Sequence, residues 1–507
     1  MNIKVGMIFY ILSLILAFFS RKIFLDCLST EFIGLTGMLM NIMSFLSVAE
    51  LGIGASIIYF LYKPIQEANY EKINEIMSML SYLYRCIGSI IGIIGIIISI
   101  FFPWWFNNLS IGLPLVYFAF YSFLASSCAG YIFNYKQLLV SADQKQYLIN
   151  AYFQTISIVQ SIIQIVLAYY YRNLYLWVLV GLVFTIIGVI VFNYRIQHLY
   201  PWLRINIKEG RQNLRRYPEI LRKARQIFIQ KVKDFILYRS DEILVGTFVS
   251  VVQVAYYGNY TIITNKLNFL VNILSDGMNA GIGNLVAEGN GPNIMKVFWE
   301  LTAIRFLIAG VIVFGILLFI QPVIIYWIGS QYLLNDWIVY LISLNIFIMI
   351  SRGAIELFVA AYGIFSDIWA AWAELILNIS ITLCLAPHYG IIGILLGKII
   401  SVATISLIWR PYYLFSHGIH KSVKEYWFEI YPAYILFFFF SSLAIAIKLI
   451  IIEPNINNIF ALITYSVLGY SLLLILYFLA MFYTTKGTKY FIARKPTIFN
   501  HLVFRQK

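Results

Sequence analysis

IFIQKVKDFILYRSDEILVGTFVS, residues 227 to 250, is long enough to cross a bilayer and yet carries Lys231, Lys233, Asp234, Arg239, Asp241 and Glu242. A charge at the bilayer centre costs at least about 2.5–3.5 kcal/mol. A span that keeps several must face water, a partner charge or a polar substrate. Lys231 at one end, and Asp241 with Glu242 at the other, can sit at the membrane surfaces. Asp234 and Arg239 fall between them and point to a lined cavity.

The surrounding chain has 507 residues, 61% of them hydrophobic and only 11% charged, and its mean hydropathy is +0.84. Soluble proteins carry roughly 25% charged residues, so a soluble class is excluded. Apolar runs near 20 residues match spanning helices, and they lack the alternation of an outer-membrane barrel. The fold class is an all-α polytopic membrane protein. Net charge is +14, which the positive-inside rule explains without nucleic acid. Cys27, Cys86, Cys128 and Cys384 are scattered without CxxC spacing, and His417 and His420 form a lone HxxH. No metal and no cofactor is expected. Lys4 and the apolar run to Phe19 look like a signal peptide, but Arg21 and Lys22 follow without a small-residue cleavage site, so this run reads as a first span.

The hydropathy predicts about 14 transmembrane helices. Six lie at approximately 5–25, 33–62, 82–102, 113–134, 148–171 and 174–194. Six more lie at approximately 227–250, 253–281, 298–320, 336–361, 368–387 and 391–410, and two follow at 430–452 and 459–483. The second is about 45 Å long as one helix against a core of about 30 Å, so it must bend or protrude. Gly52 and Gly54 in AELGIGASI, residues 49–57, offer the bend. Alternate loops hold nearly all the Lys and Arg outside the spans: Lys63 and Lys72, Lys136 and Lys145, the cluster from Arg195 to Arg225, Arg410 to Lys424, and the tail from Lys486. The opposite loops, PWWFNNLSIG (Pro103 to Gly112) and IGSQYLLND (Ile328 to Asp336), have none. Both termini are therefore expected on the cytoplasmic side of a bacterial inner membrane. The linker from Arg195 to Arg225 is either a solvated topogenic loop or a contact for anionic phospholipid.

The chain also repeats itself. Glu67 and Glu288, Pro103 and Pro322, Ser141-Ala142-Asp143 and Ala361-Tyr362-Gly363, and Arg21 and Arg239 match in one order, each pair about 220 residues apart. Each half has six spans, so both enter from the same side. The expectation is two six-helix lobes in parallel pseudo-twofold repeat plus two C-terminal helices, with the substrate path between the lobes. The boundaries are an N-lobe at 1–200, a basic cytoplasmic linker at 201–225, a C-lobe at 226–415, and the last two helices with a basic tail at 416–507.

AELGIGASIIYFLYKPI (residues 49–65), RGAIELFVAAYGIFSD (Arg352 to Asp367) and LNISITLCLAPHYGIIGILLGKIIS (Leu377 to Ser401) resemble the polysaccharide repeat-unit flippases. Their superfamily also holds the multidrug antiporters and the bacterial lipid II flippase. The resemblance covers nearly the whole chain. It implies alternating access that moves an undecaprenyl-diphosphate-linked oligosaccharide from the inner to the outer leaflet for O-antigen or capsule assembly. It also implies polysaccharide polymerase and export proteins as partners, and a cationic cavity with arginine on the first span, where Arg21 and Lys22 sit.

Several charges fall inside predicted spans. Arg21, Arg239, Lys266, Arg305 and Arg352 are the candidate contacts for a lipid diphosphate, since intramembrane basic groups usually face a cavity. Arg352 is four residues from Glu356, so an ion pair along one helix face is the competing reading. Glu374 and Glu50 are candidate ion-coupling carboxylates or helix-packing partners. Lys398 can snorkel. Trp104, Trp105, Tyr326 and Trp327 fit an interfacial aromatic belt. A cation-coupled drug antiporter would favour an acidic, aromatic lining and needs only twelve spans. A membrane glycan polymerase or ligase should carry a large exported loop and a catalytic arrangement; neither stands out. Reporter fusions after Asn108 and after Arg216 should report opposite sides of the membrane; the same side for both overturns this topology.

Overall fold

In hydrocarbon a backbone N–H or C=O has no water to turn to, so an apolar run is stable there only as a helix that closes its own hydrogen bonds. The computed structural model describes residues 2–50, 53–107, 109–143, 145–220, 240–276, 278–364, 367–455 and 459–493. Among the described residues there are helices and turns and no strand. The first helices are α1 (Asn2–Leu28), α2 (Thr30–Leu46), α3 (Ile53–Gln66), α4 (Tyr70–Ser99), α5 (Phe102–Trp105), α6 (Leu113–Asn134), α7 (Gln137–Ala142), α8 (Gln146–Tyr171), α9 (Leu174–Leu199) and α10 (Ile207–Arg216). Then come α11 (Asp241–Phe248), α12 (Val251–Asp276), α13 (Asn279–Ala287), α14 (Gly291–Trp327), α15 (Asp336–Ser351), α16 (Gly353–Tyr362), α17 (Ile368–Tyr389) and α18 (Ile391–Val402). The short α19 (Arg410–Tyr413) and the long α20 (Val423–Ile447) and α21 (Ile459–Thr484) complete the order.

Among the described residues, 10 segments are long and apolar enough to cross a membrane. The expected first, second and eighth spans are occupied by α1, by α2 with α3, and by α12. Residues 227–239 of the seventh lie outside the described residues, and with them Lys231, Lys233, Asp234 and Arg239.

The order of elements recurs. α2 and α3 correspond to α12 and α13, α4 to α14, α6 with α7 to α15 with α16, α8 to α17, and α9 to α18, each starting about 220 residues after its counterpart. Both second spans are broken. α2 passes through a tight turn at Ser47–Glu50 before α3 resumes at Ile53, and α12 ends at Asp276 before α13 starts at Asn279. Glu67 and Glu288 each directly follow the helix beyond the break. The Ser47–Glu50 turn overlaps the start of AELGIGASI at Ala49 and Glu50; Gly52 lies outside the described residues, and Gly54, also expected at the bend, falls inside α3. The match at proline is looser: Pro103 sits in the separate α5, whereas Pro322 lies within the unbroken α14.

The chain divides into two compact units, Met1–Ala255 and Tyr256–Lys507. In the first, α6 packs along α4 and α9, α8 lies against α1 and α9, and α2 packs on α6 and α11. The start of α12 is gripped from two sides. Arg21 Nη2 donates to the Ala255 carbonyl at 2.9 Å, and Gly34 presses so closely on the Val251 carbonyl that a Cβ there would sit 1.9 Å from its oxygen.

The linker carries an amphipathic helix. α10 lies along the end of α4, where Arg216 and the Tyr217 hydroxyl donate to the Glu75 carboxylate and Asn213 donates to the Glu75 carbonyl at 3.2 Å. The Asn206 amide donates to Ser78 Oγ at 3.0 Å. Burial and the Glu75 carboxylate push the Tyr217 hydroxyl up to about 12. The linker is thus fastened to the bundle at Glu75 and is more than a solvated loop.

The second unit is built around α14, which packs against α15, α20 and α21. Phe298, Phe306 and Phe314 on α14 are buried. Phe314 stacks on Phe437, which stacks on Phe347 with ring centroids 3.7 Å apart. Offset and edge-on contacts of this kind add roughly 0.5–1.5 kcal/mol each beyond area burial. α17 and α18 form a tight antiparallel hairpin.

Gly34→Ala should destabilise the protein by about 1–3 kcal/mol through overpacking against the Val251 carbonyl, read as a lower apparent melting temperature in detergent. Gly130→Ala, where no atom lies within 4 Å of the added carbon, should leave that temperature unchanged or slightly raised.

Candidate functional site

A charge that enters a bundle is held where the helices leave it a partner or a gap. Several such places occur among the described residues.

The first is at α1 and α11. α1 runs to Leu28, so Arg21 sits about two turns before the helix end; the shorter expected span had placed it at the end. It is half-buried and binds the Ala255 carbonyl. Glu242, expected near a membrane surface, is half-buried against α2 and accepts from Asn41 Nδ2. No local motif marks that pair, because the two residues meet only when α11 packs on α2.

The second is the break after α2. Glu50 is half-buried and accepts from the Tyr84 hydroxyl on α4. The Tyr131 and Tyr135 rings lie 5.9 and 6.5 Å from that of Tyr84. Tyr84 and Tyr131 thus face one carboxylate at a helix interruption, with Tyr135 behind Tyr84.

The third is in α14 and α16. Arg305 is buried, with 4% of its surface exposed. Its guanidinium occupies the space that a side chain at Gly353 would need: a Cβ there would be 2.8 Å from Arg305 Cζ. Arg352 falls at the junction of α15 and α16 and donates to Ser406 Oγ at 2.8 Å. Glu356 makes no ion pair among the described residues, so the pair expected from its spacing to Arg352 is not formed. The fourth is the α17–α18 hairpin, where Glu374 and Lys398 are 2% and 6% exposed. Lys266 is half-buried on α12. Lys266, Arg305, Arg352, Glu374 and Lys398 all engage other groups, so none is an isolated charge.

Two further ionic clusters brace the second unit. Lys448, 2% exposed, is paired with Asp336 and with Glu453 at 3.4 Å, and Gln321 also donates to Asp336. Asp367 accepts from Trp409 Nε1 at 3.2 Å and pairs with Arg410 at 3.4 Å. Neither cluster has a sequence signature, since each joins residues distant along the chain. Arg239 lies outside the described residues. Arg305, Arg352 and Ser406 belong to one unit, and Arg21 to the other.

No family model matches the chain. No curated protein matches it in sequence either. Solved structures do. The lipid II flippase MurJ in an inward-closed conformation aligns with 93% of this chain and 97% of its own, at 16% identity and a TM-score of 0.65. An inward-facing multidrug-resistance transporter of the MATE family, in the MOP superfamily, aligns with 84% of this chain and 98% of its own, at 15% identity and a TM-score of 0.57. The chain has the fold these transporters share and is a multi-pass membrane protein.

Tyr84→Phe removes the hydroxyl that donates to Glu50 and should cost about 1–2 kcal/mol, the penalty of an under-satisfied buried acceptor. Combined with Glu50→Gln, the loss should be less than the sum of the two. A double-mutant cycle on apparent melting temperature checks this.

Proposed function

We propose that this protein is an alternating-access flippase that moves an undecaprenyl-diphosphate-linked oligosaccharide from the inner to the outer leaflet of a bacterial cytoplasmic membrane, for surface polysaccharide assembly. The observation that carries this reading is the extent of the structural match. The lipid II flippase aligns with 93% of the chain, while the whole multidrug transporter leaves more of it unmatched, at 84%. A chain longer than the multidrug fold, with its α20 and α21 beyond the repeated elements, supports a lipid-linked cargo over a small drug.

The charges inside the bundle support the same class. A diphosphate needs basic partners; arginine grips it in bidentate fashion and lysine as a point charge. Arg21, Arg239, Lys266, Arg305 and Arg352 are the proposed contacts, with Glu374 and Glu50 as ion-coupling carboxylates. The basic loops and both termini face the cytoplasm, and no catalytic role is assigned to the chain. The membrane potential gives the cycle a direction. The interior is negative, so moving an anion outward is downhill by about 2.3 kcal/mol per charge per 100 mV. Cations that move outward with the lipid cancel part of this, and the empty carrier recovers it on return.

A cation-coupled multidrug antiporter is the competing reading, supported by the second structural match; lipid II as cargo is another. Arg239→Ala or Lys266→Ala should abolish glycan export with protein level and membrane insertion unchanged, and Lys266→Arg should retain part of it. Normal export by both Ala variants would leave the diphosphate to be held elsewhere. Drug efflux without glycan export would favour the antiporter.

A further inference from the structure

At the end of the first unit where α4, α6 and α9 reach the basic loops, a cavity of about 250 Å³ opens. Its polar walls come from separate elements: Ser81 and Arg85 on α4, Tyr135 and Lys136 at the α6–α7 junction, and Gln197 and Tyr200 at the end of α9. Its remaining wall is apolar, formed by Ile196 and by Leu203 and Ile205 of the connection to α10.

The charges in this cavity are unbalanced. Among the described residues no carboxylate lines it. Arg85 is exposed into it and forms no hydrogen bond or ion pair among the described residues. Lys136 Nζ donates to a neutral acceptor, Asn193 Oδ1, at 2.9 Å, and burial pushes its ammonium below the usual lysine range. The nearby carboxylate, Asp143, is already engaged by Lys145 at 2.7 Å and by the Tyr200 hydroxyl at 2.8 Å. Ser81 is fully buried and lines the cavity; its Oγ makes no hydrogen bond of ordinary geometry among the described residues and has the Tyr135 hydroxyl beside it.

We propose that this cavity is a phosphate-binding site and that its occupant is the headgroup of an anionic phospholipid. A guanidinium, an ammonium, a buried hydroxyl and an amide converge from three elements, which suits the several oxygens of a phosphate better than the two of a carboxylate. A desolvated ammonium without a counter-charge, as at Lys136, is costly, and an anion removes that cost. The apolar wall on one side fits the glycerol and first methylenes of a lipid, where a soluble phosphate would meet only water. The site lies within the first unit and is independent of what the protein transports.

The test uses the full-length protein in nanodiscs of phosphatidylcholine, with or without phosphatidylglycerol. Bound phosphatidylglycerol is counted by native mass spectrometry, and apparent melting temperature is followed with added inorganic phosphate. The intact protein should retain phosphatidylglycerol at least about tenfold better than R85Q/K136Q, as expected for the loss of two charge-assisted contacts. Lys145→Gln should bind as the intact protein does, because that lysine is already paired with Asp143. Arg85→Gln alone should lose most of the retention; it keeps the test decisive if the double variant folds poorly, since Arg85 holds nothing else in place. Stabilisation by inorganic phosphate, with no preference for phosphatidylglycerol, would keep the phosphate site and overturn the lipid as its occupant. Equal retention by the intact protein and the Arg85 variant, with no effect of phosphate, overturns the proposal.

Discussion

The structure depends on one constraint: inside a bilayer, an interrupted helix must have its freed backbone groups covered by protein. Among the described residues, three interruptions have side-chain or close backbone contacts beside them. The turn at Ser47–Glu50 lies under Tyr84 of α4. The α15–α16 junction lies where Arg352 reaches Ser406. The start of α12 is held by Arg21 and capped by the close approach of Gly34. Ionisable residues gather at these same places, because a broken helix already requires polar company and can lend it to a side chain. Glu50 and Arg352 are examples, and so is Glu242, the second residue of α11.

The two units meet this constraint with different cores. In the second, α14 is wrapped by α15, α20 and α21, and its phenylalanines form a continuous aromatic stack through Phe347 and Phe437. Tyr470 and Tyr477 of α21 add hydrogen bonds to the Val311 and Phe306 carbonyls of α14. The first unit is held at its basic end by polar fastenings. Glu75 anchors the linker helix through Arg216 and Tyr217, and Asp143 ties Tyr200 to Lys145. The basic surface that sets topology is therefore partly neutralised by built-in carboxylates. Where it is not neutralised, at Arg85 and Lys136, a cavity with affinity for an anion remains.

The resemblance to flippases and the match to solved transporters point the same way from different grounds. Sequence motifs such as AELGIGASI and RGAIELFVAAYG carry the family likeness, while structural alignment at 15–16% identity carries the fold alone. The proposed cargo rests on chemistry instead: a diphosphate would need cations, and the described helices hold Arg21, Lys266 and Arg305.

Fold class, most of the approximate spans, the repeat of element order and a break at the start of AELGIGASI were legible in the sequence. These are properties of hydropathy and spacing along one dimension, and the bilayer makes them decisive by forbidding most alternatives to a helix. The linker's basicity was legible too, but its docking was not, because the contact of Glu75 with Arg216 joins residues far apart in the chain. The same limit explains the missed pairs Asn41–Glu242, Asp336–Lys448 and Asp367–Arg410, and the absent Arg352–Glu356 pair. Four-residue spacing puts two side chains on one face, yet a neighbouring helix can offer a better partner, as Ser406 does. Which charge meets which group is decided by packing between helices, and only the tertiary structure contains that packing.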